Sequence, residues 1–418
     1  MSDSGRYHSL DAVRACALLT GIVLHSTMSF WPGLRELNWP ISDDSTSLKL
    51  SGTFFVIHTF RMSLFFVIAG FFAHLLLEKA GMRGLIRNRL RRIALPFVVA
   101  FVVVSPMMIP PYLWAQKKLG FTGWPHIKPP IPDPHMPPWG HLWFLYLLLV
   151  LYALWLLVHV LVHAADRRGE LPRLADRLLA ALVKSRLAVA VLAAPSAVIL
   201  YYSPWWLLWQ GIPQPIMGFV PNVPALLAFG TTFGFGWFLH RSDALLGVLR
   251  RDWWWNLLAA AVCSAAALWL IGPMPRLADY ALPARERMLF STVYLLGGWF
   301  WIFGLIGAGL RFVSEPSPRW RYLADSSFYI YIMHLPIVYA LQAWVMLWPL
   351  RWTVKYPLVV ILAFAISFIT YHYGVRSTFV GQFLNGRRYP RGASFASPGV
   401  TTAPVCSPSE TVPIRARR

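Results

Sequence analysis

Apolar stretches close to the length of a bilayer crossing recur along nearly the whole chain, and they leave few alternatives for its fold. The run 143–165, WFLYLLLVLYALWLLVHVLVHAA, contains no Asp, Glu, Lys or Arg. In hydrocarbon, every backbone N–H and C=O must be satisfied within the protein, which leaves helices or closed barrels. Runs of about 20 apolar residues fit helices, whereas barrel strands alternate over about ten. The sequence therefore predicts an all-α polytopic membrane protein with about ten transmembrane helices. They are placed at 12–31, 53–77, 93–115, 140–163, 187–203, 222–240, 254–272, 288–310, 326–348 and 357–375. The stretch 204–221, containing WWLLWQGIPQPIMGF, reads as re-entrant or interfacial.

Composition decides between function classes. The formal charge of +21 raises nucleic acid as a partner. However, the Lys and Arg residues fall in short clusters between apolar runs, with no basic domain and no recognition motif, so no nucleic-acid partner is expected. The clusters instead orient the chain. With the N-terminus inside, the cytoplasmic segments hold 27 Lys/Arg and the outer loops 10, with Arg61 left within a span. Both termini are thus expected to be cytoplasmic. The first apolar run is interrupted by His25 and lacks a small-residue cleavage pattern, so it is expected to stay in the protein. Cys16, Cys263 and Cys406 give neither a disulfide framework nor metal-ligand spacing, and no metal site is expected. Residues 1–384 read as one integral membrane domain. Residues 385–418, rich in small polar residues, proline and arginine, read as a disordered cytoplasmic tail. The proline-rich outer loop 116–139 is expected to be semi-rigid.

Polar groups inside the spans are the candidates for function. Arg14 and His25 are eleven residues apart, about three turns, so they share a helix face roughly 16 Å apart along the axis. Asp11, one turn before Arg14, is placed to orient its guanidinium. In the second span His58 and Arg61 lie at i and i+3, and Arg61 is too deep to snorkel comfortably. The spans offer almost no carboxylate to pair with it, which points to an anionic ligand. His141 and Trp143 open the fourth span, and His334 precedes the kinking Pro336 in the ninth. His58, His74 and His141 read equally as interhelical hydrogen-bonding groups, and His372 favours that structural reading. No HExxH, GxSxG or P-loop is present, and no mid-span acidic residue supports a proton relay.

Arg14 followed by ten residues and His25, within LDAVRACALLTGIVLH, resembles the signature of the membrane-bound acyltransferase-3 family. IHTFRMSLFFVIAGFF, RNRLRRIALPF, GHLWFL and SSFYIYIMHLPIVY narrow the resemblance, which runs from about residue 7 to 375. His334 is followed by Leu335, where the family often has a second histidine. The resemblance implies a ten-span bacterial inner-membrane enzyme that moves acyl groups from a cytoplasmic donor to an extracytoplasmic glycan. It points to the branch that succinylates osmoregulated periplasmic glucans, beside the glucan-synthesis machinery. No bound cofactor is implied; acyl-CoA, with succinyl-CoA foremost, is the co-substrate. Arg14 and the basic run Arg87, Arg89, Arg91 and Arg92 would hold the donor phosphates. His25 would serve as general base or acyl carrier, with His334 also catalytic. Arg61 and His58 would hold the succinyl carboxylate or the oxyanion, His141 would join the substrate site, and Trp139 and Trp143 would offer faces to sugar rings. Transfer of acetyl, or to another surface glycan, keeps the same chemistry. An anion transporter or flippase lined by Arg14, Arg61 and the histidines is the reading of a different class.

Overall fold

The computed structural model describes residues 3–121, 137–203, 206–275, 282–313, 315 and 317–390, with side chains from His8 onward. Most of the outer loop, 122–136, and the tail beyond residue 390 lie outside the described residues. Every regular element described is helical, and an isolated bridge joins Pro138 and Met217.

The helices are α1 (Asp3–Thr27), α2 (Leu48–Arg89), α3 (Leu95–Val103), α4 (Ile109–Leu119), α5 (Trp143–Ala165), α6 (Glu170–Lys184) and α7 (Ala188–Tyr202). There follow α8 (Val223–Leu239), α9 (Asp243–Arg251), α10 (Trp253–Ile271), α11 (Ala284–Phe312), α12 (Pro318–Val345), α13 (Trp352–Ile369) and α14 (Phe379–Asn385). Among the described residues, seven helical segments are long and apolar enough to cross a membrane, and nine if each of two bent pairs counts as one. One of the seven, Leu48–Leu119, has 72 residues, about 108 Å if straight. It cannot be straight, because Gly81 breaks it with φ +66°, a conformation that glycine adopts without strain. A wide π turn follows at Leu90–Ala94.

The bent pairs correct the sequence reading of two cytoplasmic loops. The segment 164–186 contains the helix α6, set at 105° to α7, and 241–253 contains α9, set at 110° to α8. In α6, Leu171, Leu174 and Leu178 form an exposed apolar stripe beside Arg173 and Arg177. That pattern suits a helix lying along the membrane surface. Arg241 ties this layer together through Asp176, 2.8 Å away.

α1 is the central element, packed against α2, α11, α12 and α13. Outward faces carry exposed apolar side chains, among them Val102, Leu161, Val262 and Ile361, as a lipid-facing surface requires. Lys355 and Asp43 form a buried ion pair at 2.8 Å, and Asp43 also accepts from the Ser45 N–H. α2 and α8 cross with their backbones in contact. A Cβ on Gly70 would collide with the Phe233 carbonyl, and one on Gly236 with the Val67 carbonyl. Small residues permit this approach, which drives helix association where solvent is itself apolar. Gly236→Ala should therefore force the helices apart and cost about 1–3 kcal/mol. A lowered unfolding temperature in detergent would show it; an unchanged one would mean that the crossing tolerates the methyl.

Candidate active site

Four helices bring the candidate residues together. His25 stands near the end of α1, where the last carbonyls have no helical partner. The Gln342 amide on α12 fills that role, donating to the His25 and Ser26 carbonyls at 3.0 and 3.1 Å. Gln342 thus fixes the turn that carries His25. The His25 and His334 rings approach to 5.2 Å between centroids, and His334 and His141 to 6.1 Å.

Proline explains how His141 is held. Pro336 cannot donate to the Ile332 carbonyl four residues earlier. His141, in the short 3-10 turn Gly140–Leu142 that leads into α5, lies 3.2 Å from that oxygen through Nε2. A carbonyl only accepts, so Nε2 carries the hydrogen. Tyr331 completes the link by donating to the His141 carbonyl at 2.8 Å.

The same reasoning assigns the other two rings. His334 Nδ1 is 2.6 Å from the Tyr331 carbonyl and therefore holds a hydrogen. Its Nε2, buried and without a hydrogen-bond partner, keeps a lone pair. His25 Nδ1 lies 3.4 Å from the Met28 sulfur, a weak acceptor, which again leaves the lone pair on Nε2. The two imidazoles differ in access: His334 is 1% exposed, whereas His25 is only half-buried.

Arg61, 6% exposed, meets this cluster at Gly21. A Cβ on Gly21 would stand 2.9 Å from an Arg61 Nη and 3.3 Å from His334 Nε2. The missing side chain leaves a notch into which the guanidinium and the imidazole both point, one turn before His25. Among the described residues Arg61 has no carboxylate partner. His58, one turn away, stacks on Phe54 and contacts Gln214 at 2.7 Å. The 206–218 segment brings Gln214 to His58 and is anchored by Trp139, whose Nε1 donates to the Gly218 carbonyl.

Toward the other end of α1 lies a cavity of about 240 Å³. Arg14, Arg89, Arg92 and Arg387 line it, with Asp325 and Ser327 on the α12 side. Asp11 pairs with Arg14 at 3.0 Å. Arg92 reaches across to the Gln382 and Phe383 carbonyls at the end of α14, both at 3.0 Å. Asp325 accepts from Arg387 at 2.8 Å and from the Tyr389 hydroxyl at 2.6 Å. Burial and the neighbouring Asp325 push the Tyr389 phenol up, so it stays protonated as a donor.

These placements correct three expectations. Arg91 and Arg87 are exposed and do not line the cavity, whereas Arg89 and Arg92 do; the π turn between them shifts the register of the helix faces. Trp143 is 5% exposed, wedged against Phe66, Phe144 and Phe229, and offers no face to a sugar. Trp139 is equally enclosed, stacked on Tyr146. Finally, residues 385–390 belong to the packed structure, so the membrane domain extends past the expected boundary at 384. Gln342, Tyr331, Gln214, Asp325 and Arg387 were not anticipated from sequence. Gln342 had a signal, being a strongly polar residue in the largely apolar second half of α12, whereas Asp325 follows a charged first turn.

An acyltransferase domain model, that of the acyltransferase-3 family, matches residues 7–372. The chain belongs to this family. Its relatives include glucans biosynthesis protein C of Shigella dysenteriae serotype 1 (strain Sd197) and of Escherichia coli (strain K12). Each is 29% identical over 154 residues, 36% of this chain and 38% of the relative. The match to these relatives therefore spans well under half of their length. No solved structure matches. The family makes the protein a membrane acyltransferase.

Proposed function

We propose that this acyltransferase moves a succinyl group from cytoplasmic succinyl-CoA to hydroxyls of a periplasmic glucan. The observation that carries the reading is the two-ended use of α1. Its first half faces a cavity with four arginines, suited to the phosphates of coenzyme A. Its last turn carries His25 beside His334 and Arg61. The name of the relatives, glucans biosynthesis protein C, favours a glucan as acceptor.

In the proposed reaction His25 Nε2 takes the proton of a sugar hydroxyl as its oxygen attacks the thioester carbonyl. The oxyanion that forms is held by the Arg61 guanidinium in the notch at Gly21. Collapse of the intermediate breaks the carbon–sulfur bond, and the His25 imidazolium returns the proton to the coenzyme A thiolate. Attack by Nε2 itself, with a short-lived acyl-imidazole, leads to the same products.

The reading places the protein in the bacterial inner membrane. If Leu48–Leu119 crosses twice around Gly81 and each bent pair once, there are ten spans. The Lys/Arg bias then puts both ends in the cytoplasm, with the arginine cavity facing the donor. The test is the charge and mass of periplasmic glucans from cells with and without the protein. Succinyl groups appearing only with the protein support the proposal. Unchanged glucans with free coenzyme A still released by the purified protein would move the acceptor to another glycan, and intact acyl-CoA would favour an anion transporter.

A further inference from the structure

The glycine crossing of α2 and α8 has a sequel one turn further along both helices. Four residues after Gly70 comes His74, and four after Gly236 comes His240, so the faces that touch at the glycines next present two imidazoles to each other. Glu78 follows His74 by another four residues on the same face. His74 Nδ1 lies 3.3 Å from His240 Nδ1 and 3.3 Å from Glu78 Oε1, and His240 Nδ1 lies 3.6 Å from Glu78 Oε2. Among the described residues, this is the group of His, Cys, Asp and Glu side chains whose ligand atoms all fall within 4.8 Å of one another.

We propose that His74, Glu78 and His240 hold a zinc-type divalent ion that staples α2 to α8. The spacing selects the geometry. Zinc bound tetrahedrally at about 2.0–2.1 Å requires ligand atoms about 3.3–3.4 Å apart, while an octahedral ion at that bond length requires about 2.9 Å. The His74–His240 and His74–Glu78 separations, both 3.3 Å, match the tetrahedral edge, and His240 lies 3.6 Å from the other Glu78 oxygen. Two imidazoles and a carboxylate are also a ligand set that zinc accepts, with the fourth position left to water.

The rings are held before any ion binds. Trp237 meets His74 edge-on at 4.9 Å, and Phe71 meets His240 edge-on at 4.9 Å. His74 and His240 are 6% and 8% exposed, while the Glu78 side chain is 54% exposed and gives the ion a route in. Of the nearby cations, Arg241 is neutralised by Asp176 at 2.8 Å, and His159 stands behind Trp237, 5.8 Å from it between centroids. Lys79 adjoins Glu78 in sequence. The site is separate from the arginine cavity: His74 is about 140° round α2 from Ala69, which lines that cavity. Sequence gave no motif because the ligands come from helices 166 residues apart.

The test uses the full-length protein in detergent, freed of any histidine tag and stripped with a chelator. Titration with cobalt(II) should give one ion per chain with the strong visible absorption of a tetrahedral centre, displaced by equimolar zinc. His74→Ala and His240→Ala should lose that absorption, and Glu78→Gln should bind roughly tenfold more weakly or worse. His240→Gln, nearly the same size, keeps the helix contact and should lose the ion while still eluting as folded protein. Zinc should raise the unfolding temperature of the wild type and leave that of His240→Gln unchanged. Weak octahedral-type absorption in the wild type, or equal binding by the wild type and the His74→Ala/His240→Gln double variant, would mean an adventitious ion only and overturn the proposal.

Discussion

Replacing Arg61 with methionine should cut acyl transfer by orders of magnitude while making the protein more stable. The guanidinium is 6% exposed and has no carboxylate partner among the described residues. An unpaired buried charge is a standing cost to the folded state, and an apolar side chain of similar length removes it. If that charge is kept for an oxyanion or a substrate carboxylate, its loss should lower kcat by roughly 10²–10³-fold, the effect of deleting one such donor. The two readouts are thermal unfolding in detergent and release of free coenzyme A from succinyl-CoA. A variant that unfolds earlier and stays active would show Arg61 to be a structural group, and the catalytic reading of the notch at Gly21 would fall with it.

His25→Ala is expected to lower turnover by about 10²–10⁴-fold, the range contributed by a positioned general base. Donor binding should hardly change. Arg14 and its cavity are three helical turns away, and the Gln342 amide bonds the His25 main chain rather than its ring. The KM for succinyl-CoA should therefore stay near its wild-type value while kcat collapses. Equal loss in both parameters would point instead to a damaged α1. Full activity would transfer the role of base to His334, whose Nε2 keeps its lone pair toward the same notch.

Much of the architecture was legible because hydrocarbon imposes length and polarity limits that a sequence shows directly. The Arg14–His25 spacing likewise placed two residues on one face before any coordinates. Which apolar face turns inward was not legible. In water the inside of a helix is its apolar stripe, but in a bilayer lipid and protein interior are equally greasy, so the stripe vanishes. Trp143 shows the result, since an aromatic at a span's outer end fits an exposed belt as well as the packed core where it lies. The 385–390 segment was hidden differently. Its composition matches the tail after it, and the partners that hold it lie elsewhere in the chain: Asp325 on α12 accepts from both Arg387 and Tyr389, and the Arg376 carbonyl accepts from the Tyr389 N–H.

The sharp bends before α7 and after α8 bear on the bilayer itself. At 15 and 17 residues, these helices are about 22 and 26 Å long, short of the roughly 30 Å hydrocarbon layer. If they cross, lipid must compress around that flank, with α6 and α9 spread along the surface beside it. The two aqueous faces are then closest together on the side where the protein is thinnest. For chemistry that joins a donor from one compartment to an acceptor in the other, a locally thinned membrane shortens the gap that the donor's arm must span.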